Sequence, residues 1–328
     1  MADPPRRILL AHRYLWPDAA PYGMILLRLA EGLAQDGHEV AVQSAVPGYR
    51  PGLRAARQQV FGRLRVHRAG FAKAGRGVNT ALYLLALCLR ILRDRPDIVI
   101  VATTPPVLPA WLAGLAARPV GARLIYHVQD IHPEAAVAAG LLRPGGLPAR
   151  LLLALDKATL GRAAAIVTLS PDMAATLQAR AVPHAPPLCI ENPALIAPAA
   201  ELRTARIDPA WRKGAGRRRA IFAGNLGRFQ NLPLLAEGVA LLFAAHPELE
   251  LCFLGDGRAG GALRTRWQGH PQVRFLPQMP LAAATALLAE ADVGLVSLGP
   301  GMAKLAVPAK LHSYAALGLP VAALIDPG

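Results

Sequence analysis

The sequence predicts an α/β protein of two domains, each built around a doubly wound parallel sheet. Short apolar runs typical of buried strands alternate with stretches of helical periodicity along most of the 328 residues. That alternation is typical of parallel sheets covered by helices. It stops in a proline-rich and then basic region at residues 183–219 and resumes at residue 220. We therefore expect one domain at residues 1–198 and a second at residues 199–328.

Composition limits the partners and the compartment. Hydrophobic residues make up 53% of the chain, which excludes wholesale disorder, and 36 Lys and Arg against 21 Asp and Glu give a net charge of +15. A basic excess suits phosphate ligands, anionic lipid or a solvated surface. No zinc spacing or helix-turn-helix signature favours nucleic acid. Three distant cysteines and an N-terminal apolar run too short for a signal peptide predict a cytoplasmic protein.

The first domain opens with a βαβ pattern. A strand at residues 7–11 is followed by a proline-broken loop to residue 23, a helix, and a strand at residues 39–42. The absence of G-x-G-x-x-G argues against a nicotinamide dinucleotide. The further predicted elements are strands at 60–69, 96–102, 123–127 and 165–170 and helices at 107–117 and 151–164, with another helix capped by Ser170.

Residues 81–92 are almost wholly apolar and are flanked by basic side chains. Those side chains are Lys73, Arg76, Arg90, Arg93 and Arg95. One interpretation is a buried helix of the first domain. The other is a helix that rests in a membrane interface, since the run is too short and too interrupted to span a bilayer. The sequence leaves both interpretations open.

Polar residues follow two of the predicted strands at the edge where α/β proteins bind ligands. Thr103 and Thr104 follow one strand. The other ends in the run HVQDIHPE at residues 127–134, which holds two histidines and two carboxylates. We expect catalytic or acceptor-binding groups here. His132 and Glu134 also flank a proline and could instead begin a helix.

The second domain opens with a strand, a glycine-containing turn and a helix at residues 220–242. Glycines allow a ligand to approach the backbone, and exposed N–H groups at a helix start favour anions, so the stretch predicts a diphosphate site. Strands at 250–254, 272–276, 292–298 and 321–325 and helices at 281–291 and 309–317 follow. We count fewer β-α units here than in the first half, so this domain is expected to be incomplete.

Several motifs occur in a characteristic order. They are YLWPD at 14–18, DGHEV at 36–40, HVQDIHPE at 127–134, AGNLG at 223–227, GDG at 255–257, PAK at 308–310 and ALGLPV at 316–321. This ordered set resembles the GT-B glycosyltransferases of retaining family 4. More narrowly, it resembles the WbuB/WcaI-like group of bacterial envelope polysaccharide transferases.

The resemblance implies two Rossmann-like domains facing a cleft. The second binds a nucleotide-diphosphate sugar, the first binds a saccharide or polyprenyl-linked acceptor, and the sugar is transferred with retention, without a metal or other cofactor. Basic side chains must then neutralise the leaving diphosphate. The implied donor-binding residues are Tyr22, Gly23, Gly224, Asn225, Gly227, Arg228, Gln230, Gly255, Lys304, Lys310 and Ser313.

For the acceptor side, the resemblance implies His127 and Asp130 as catalytic candidates that orient the acceptor hydroxyl. His132, Glu134, Thr103 and Thr104 would lie beside them. In a front-face mechanism the leaving phosphate itself takes the proton. The expected location is the cytoplasm, with peripheral contact to the inner face of the plasma membrane.

The chain departs from the broader family at four positions. Asn225 and Gln230 stand where that family has an Arg and a Lys, and Leu305 and Ser313 stand where it has a Glu-x7-Glu pair. Either Lys304, Lys310 and Arg228 take over from the missing residues, or donor binding is weakened. Family members also continue through further β-α units, so we expect a truncated chain or a fragment.

Two alternatives remain. A sugar-nucleotide 2-epimerase on the same plan would need a pair of acid/base residues, and few carboxylates stand at strand ends. A degenerate, non-catalytic scaffold subunit at a membrane surface would suit the missing Glu pair. Nucleotide-sugar binding without turnover would support the scaffold.

Overall fold

A computed structural model describes residues 4–18, 20–48, 52–71, 73–180 and 185–326, without the side chain of Arg228. The chain forms two compact units. The first comprises Met1–Glu191 together with Lys304–Val307, and the second comprises Asn192–Ala303 together with Pro308–Gly328. The sequence placed the boundary after residue 198 and did not anticipate that a short late segment belongs to the first unit.

The first unit contains eight strands in one sheet. In chain order its elements are β1 (Arg7–Ala11), α1 (Pro21–Gln35), β2 (Glu39–Ala45), β3 (Gln58–Phe61), β4 (Leu64–Ala69), α2 (Arg76–Asp94), β5 (Ile98–Ala102), α3 (Leu108–Ala117), β6 (Arg123–His127), α4 (Glu134–Ala138), α5 (Leu147–Leu160), β7 (Ala165–Thr168), α6 (Pro171–Arg180) and β8 (Leu188–Cys189). The strand order is β3-β4-β2-β1-β5-β6-β7-β8. The β3–β4 pair is antiparallel, and the other neighbours are parallel.

The second unit contains a five-stranded parallel sheet. Its elements are α7 (Ala199–Thr204), β9 (Arg218–Ala223), α8 (Leu232–Ala240), β10 (Leu249–Leu254), α9 (Gly260–Arg266), β11 (Val273–Leu276), α10 (Leu281–Ala289), β12 (Val293–Ser297), α11 (Lys310–Ala316) and β13 (Val321–Leu324). The strand order is β11-β10-β9-β12-β13. This is the order of a Rossmann-type sheet.

Both sheets reverse their winding at an internal strand. In the first unit the chain builds outward from β1 in one direction and then restarts at β5 on its other side. In the second unit the same reversal separates β9 from β12. The crevice beyond the carboxyl ends of two such strands is the usual ligand site of open α/β sheets. The loops after β1 and β5, and after β9 and β12, are therefore the places to look for function.

The core of the second unit lies on both faces of its sheet. Successive β9 residues point to opposite sides, so Phe222 joins a cluster with Leu235 of α8, while Ile221 joins a cluster with Leu287 of α10. Both β9 side chains are fully buried. This two-sided burial explains why β9 is an uninterrupted apolar run in the sequence.

The predicted strands and helices are present, and two of the helices differ in extent. Helix α1 begins at Pro21, inside the stretch expected to be a loop, and α5 begins at Leu147, four residues before the predicted start. Helices α7 and α9 and strand β8 were not predicted. Helix α2 is buried on one face only, and no helix within the described residues is long and apolar enough to cross a membrane.

Candidate functional site

A chain of polar rings lies at the carboxyl edge of the first sheet. His127 is the last residue of β6, and its Nδ1 lies 2.8 Å from the Tyr22 hydroxyl at the start of α1. The amide nitrogen of Gln129 lies 2.8 Å from the other ring nitrogen, Nε2. His12, directly after β1, packs edge-to-face on Tyr22 with ring centroids 4.9 Å apart. Residues from β1, α1 and β6 thus meet around the Tyr22 ring at this edge of the sheet.

These contacts define the protonation of His127. An amide nitrogen only donates, so Gln129 donates to Nε2, and the ring proton sits on Nδ1, from which it is donated to the Tyr22 oxygen. Burial, with a smaller contribution from His12, lowers the pKa of His127 to about 4. The ring is therefore neutral near pH 7, and both of its nitrogens already have partners.

Asp130 lies three residues further on and is held by its backbone. Its N–H points to the Thr103 hydroxyl at 3.4 Å, and it forms an isolated antiparallel bridge with Ala306. The next N–H, of Ile131, donates to the Leu305 carbonyl at 2.8 Å. Burial raises the pKa of the Asp130 carboxyl to about 6. A carboxyl with that pKa can both accept and release a proton near neutrality.

Glu134 and His132 belong to a separate network around Arg180. The Arg180 guanidinium donates to Asp156 at 2.5 Å, to the His132 carbonyl at 2.7 Å and to the Glu134 carboxylate. The Tyr126 hydroxyl donates to the other oxygen of Asp156 at 2.8 Å. Burial, followed by the nearby Arg180 charge, lowers the pKa of His132 to about 4. This network joins α4, α5 and α6, so Glu134 has a structural role, and its acceptor-side role stays a prediction.

In the second unit, the loop after β9 interlocks with the loop after β10. Gly224 donates to the Leu254 carbonyl at 2.8 Å, and Leu226 donates to the Asp256 carbonyl at 2.9 Å. Gly255 has φ +131°, and a Cβ there would lie 2.2 Å from the Gly224 oxygen. Only glycine permits this approach. Gly224 and Asn225 remain exposed, so the loop presents open backbone beside the switch point.

Lys310, the first residue of α11, lies beside this open backbone. Its Nζ is 3.2 Å from the centroid of the Phe222 ring, and its Cε lies 3.7 Å from where a Cβ of Gly224 would be. Burial lowers the pKa of Lys310 to about 7. Among the described residues it forms no ion pair. A poorly solvated cation without a counter-ion next to exposed glycine backbone is suited to an anionic ligand.

Comparison with known proteins places this arrangement in a family. Residues 22–193, more than half of the chain, match the glycosyl transferase 4-like domain. The chain belongs to that family. The match begins at Tyr22 and includes His127, Asp130 and the Arg180 network.

This glycosyl transferase 4-like protein is also similar in sequence to two bacterial proteins. It is 27% identical over 252 residues to "Probable glycosyltransferase WbjE" of Pseudomonas aeruginosa, covering 75% of this chain and 62% of the relative. It is 25% identical over 335 residues to WcaI of Escherichia coli (strain K12), named for colanic acid biosynthesis, covering 92% of this chain and 79% of the relative. The chain thus spans less than two thirds of WbjE.

A solved structure shows the same fold. Sucrose-phosphate synthase from Thermosynechococcus elongatus matches with a TM-score of 0.71 and 17% identity, over 97% of this chain and 81% of that one. The predicted GT-B class, with two Rossmann-like units, is therefore confirmed. At this identity the likeness concerns the fold alone.

Several predicted donor residues of this glycosyl transferase 4-like chain have structural partners. The Gln230 amide oxygen accepts from the Gly227 N–H at 2.9 Å and shapes the turn before α8. The Ser313 hydroxyl accepts from the Leu195 N–H at 3.1 Å and donates to the Leu195 carbonyl at 3.2 Å. A Cβ on Gly23 would lie 2.3 Å from the Tyr14 oxygen, so close packing accounts for that glycine. Their donor-binding roles stay predictions.

Three more of the predicted site residues are Lys304, Thr104 and Arg228. Lys304 is exposed and lies in the segment that belongs to the first unit, whereas Lys310 lies in the second. Thr104 follows β5 and is half-buried. The Arg228 side chain lies outside the described part of the chain, so its predicted contact with the diphosphate is untested.

Sequence reasoning missed two neighbours of His127. Gln129 stood inside the quoted motif, and its position two residues after a strand-ending histidine was the available signal, since alternate residues share a side. His12 offered no comparable signal, because it meets Tyr22 only through the fold. No group of three or more potential metal ligands occurs within the described ranges.

Proposed function

We propose that this protein transfers a sugar from a nucleotide-diphosphate sugar to a saccharide or polyprenyl-linked acceptor during synthesis of a cell-envelope polysaccharide. Membership of the glycosyl transferase 4-like family supports the reaction class. The names of the two relatives, a glycosyltransferase and a colanic acid biosynthesis enzyme, support the pathway class. The observation that carries the proposal is the placement of Lys310 beside the open backbone of Gly224 at a sheet switch point.

The donor diphosphate would bind at this open backbone. The exposed Gly224 and Asn225 allow close approach, and the Lys310 ammonium supplies positive charge at the place where negative charge develops on the leaving group. Arg228 and Lys304 remain proposed contributors because of their charge. Gly227, Gly255 and Gln230 would act by holding the loop, since their contacts lie within it. The proposal requires no metal.

The acceptor would bind against the first unit. In this proposal His127 orients a hydroxyl group and is not the base, because its lowered pKa makes it a weak base and Gln129 occupies its Nε2 lone pair. Asp130 receives the acceptor proton when the leaving phosphate does not. We propose transfer with retention, in which the leaving phosphate and the acceptor share one face of the sugar. Thr103 would help place the Asp130 backbone.

The contacts of Glu134 argue against the epimerase alternative. That reaction needs two acid/base groups, and of the two carboxylates after β6, Glu134 is committed to Arg180. We place the reaction in the cytoplasm, because all three cysteines, one of them fully buried, are free thiols.

The first experiment is a thermal-shift titration with UDP, GDP, ADP and their common sugar conjugates. A ligand that binds only the folded state raises the unfolding temperature by mass action. We expect one nucleotide series to respond, and Lys310→Ala to weaken that response. A folded protein that responds to none of the series would contradict donor binding.

Turnover separates the transferase from the scaffold. With the responding donor and a lipid-linked saccharide, Asp130→Asn should lower kcat while leaving the thermal shift by the donor unchanged. Donor binding without turnover by the unsubstituted chain across a panel of acceptors would favour the scaffold.

A further inference from the structure

The outward face of α2 is apolar along its whole length. Val78, Leu85, Leu89 and Leu92 are 55%, 56%, 57% and 43% exposed. Their spacing of seven, four and three residues places them in one narrow stripe along the helix. The opposite face carries Tyr83, Leu87 and Ile91, which are fully buried. The helix therefore has two apolar faces, of which the fold covers one.

The stripe continues across the neighbouring helices. Helix α3 packs against both α2 and α5. It exposes 42% of Leu115, and α5 exposes 79% of Leu147 and 56% of Leu151. Leu147 and Leu151 are one turn apart and lie on the same side of α5. We call these seven side chains the outer helix face: Val78, Leu85, Leu89, Leu92, Leu115, Leu147 and Leu151.

Such a concentration is unusual for a protein surface that meets only water. Single exposed leucines are common, but contiguous apolar patches mark sites that bind a partner, a ligand or a membrane. Here the exposed leucines sit on three adjacent helices of one layer. The outer helix face therefore needs an occupant.

The charges around the outer helix face are basic. Arg76 and Arg93 lie near the two ends of α2, and Arg150 and Lys157 follow one edge of α5; all four are exposed. The acidic residues of α2, α3 and α5 are Asp94, which pairs with Arg90 and Arg93, and Asp156, which is buried against Arg180. The surface therefore combines exposed leucines with exposed cations and hardly any exposed negative charge.

We propose that the outer helix face rests on an anionic lipid bilayer. Its leucines would enter the boundary between headgroups and acyl chains, and the basic side chains would contact lipid phosphates. A second copy of this chain is a poorer occupant, because two such faces would bring like charges together. The proposal concerns where the protein sits and does not depend on the reaction proposed above.

The test is flotation of the full chain with vesicles, without any sugar substrate. Vesicles of phosphatidylglycerol and phosphatidylethanolamine should bind the protein, and pure phosphatidylcholine should bind it much less. Leu85→Ser with Leu89→Ser, and separately Leu147→Ser with Leu151→Ser, should each lower binding about tenfold. The matched control is Leu241→Ser with Leu242→Ser, which changes leucines that are 84% and 49% exposed in the second unit.

Substitution of two basic side chains tests the electrostatic contribution to membrane binding. Each basic side chain near an anionic surface contributes about fivefold in affinity, so Arg93→Gln with Arg150→Gln should lower binding about tenfold or more at low salt. Arg203→Gln with Arg206→Gln removes the same charge from exposed positions in the second unit and should have little effect.

Two results would overturn the proposal. One is binding to anionic vesicles that the control variants reduce as much as the outer-face variants do. The other is a chain that does not bind vesicles but forms a dimer. If the double substitution Leu85→Ser with Leu89→Ser dissociated that dimer, this face would be a protein interface. Circular dichroism of each variant checks that the fold is retained.

Discussion

The surroundings of Lys310 set the pH range in which this side chain can hold an anion. Its aliphatic stem lies beside Gly224 and its nitrogen lies on the face of Phe222, so burial lowers its pKa to about 7. Below that pH the ammonium is already present. Above it, binding of a diphosphate requires uptake of a proton, which weakens apparent affinity as the pH rises.

We therefore expect donor affinity to fall above pH 7, approaching tenfold per pH unit, when measured by calorimetry with a nucleotide sugar. The charge of the nucleotide-sugar diphosphate is constant in this pH range. The change of affinity with pH therefore reflects titration of a group on the protein. Lys310→Met should bind more weakly at pH 6.5 and lose the slope. An equal slope in Lys310→Met would assign the titration to another group.

His127 offers a second residue-scale test, because its two partners act on its pKa in opposite directions. Gln129 donates to the lone pair of the neutral ring, so Gln129→Leu should raise the His127 pKa from about 4. Tyr22 accepts the Nδ1 proton, and this contact also stabilises the charged ring, so Tyr22→Phe should lower that pKa.

Titration of the His127 ring proton by NMR measures both shifts. A fall in the pKa for Gln129→Leu together with a rise for Tyr22→Phe would mean that the ring proton sits on Nε2.

At the scale of elements, the Arg180 network joins the helices that follow β6 and β7. Arg180 and Asp156 have side chains only 4% and 3% exposed. Asp156 also accepts from Tyr126, so α5 is tied to β6 as well as to α6. Removing one partner of a buried ion pair leaves the other charged and without compensation.

Arg180→Met should therefore lower the free energy of unfolding of the first unit by about 3 to 5 kcal/mol, as measured by urea denaturation. Arg93→Met, which breaks an exposed pair with Asp94, is the control and should leave the urea midpoint almost unchanged. A small loss in Arg180→Met would show that water or a rearranged neighbour compensates Asp156.

Elements were predictable from the sequence where burial alone determines them. Strands such as β5 and β9 are continuous apolar runs, and Ser170 caps α6 by accepting from Met173 at 3.2 Å, as its sequence pattern predicted. Helix α9 was missed because it begins with two glycines, which have low helix propensity. Asp156 and Glu134, the carboxylate partners of Arg180, lie 24 and 46 positions before it in the sequence, so no local sequence pattern predicts these ion pairs. For the candidate site, the sequence indicated the loops, and only the fold supplied the contacts of His127.

At the scale of the whole molecule, the two units should respond to pH in different ranges. The first contains His12, His127 and His132, each with a pKa lowered to about 4, mainly by burial. An unfolded histidine titrates near pH 6.5, so the unfolded state binds more protons between those values, and stability falls as the pH falls. Asp130, with its pKa raised to about 6, offsets part of this loss.

In the second unit Lys310 has a pKa lowered to about 7, well below that of an unfolded lysine. The unfolded state then binds the extra proton above pH 7, so stability rises as the pH rises from 7 to 9.

Hydrogen exchange at pH 5, 7 and 9 would resolve the two units. We expect the first unit to lose on the order of 2 kcal/mol between pH 7 and pH 5, after allowance for Asp130 and solvent screening. The second unit should gain protection between pH 7 and pH 9. If both units changed stability in the same pH interval, the assignment of these buried groups would be contradicted.

The segment Lys304–Val307 has a practical consequence for building hybrid proteins. It belongs to the first unit, although the residues on both sides of it belong to the second. A chimera joined only at Glu191 would combine one parent's Ile131 with the other parent's Leu305, whose carbonyl accepts its N–H. Shuffling experiments that exchange the first unit should therefore carry residues 304–307 together with residues 1–191, as two inserts from a single parent.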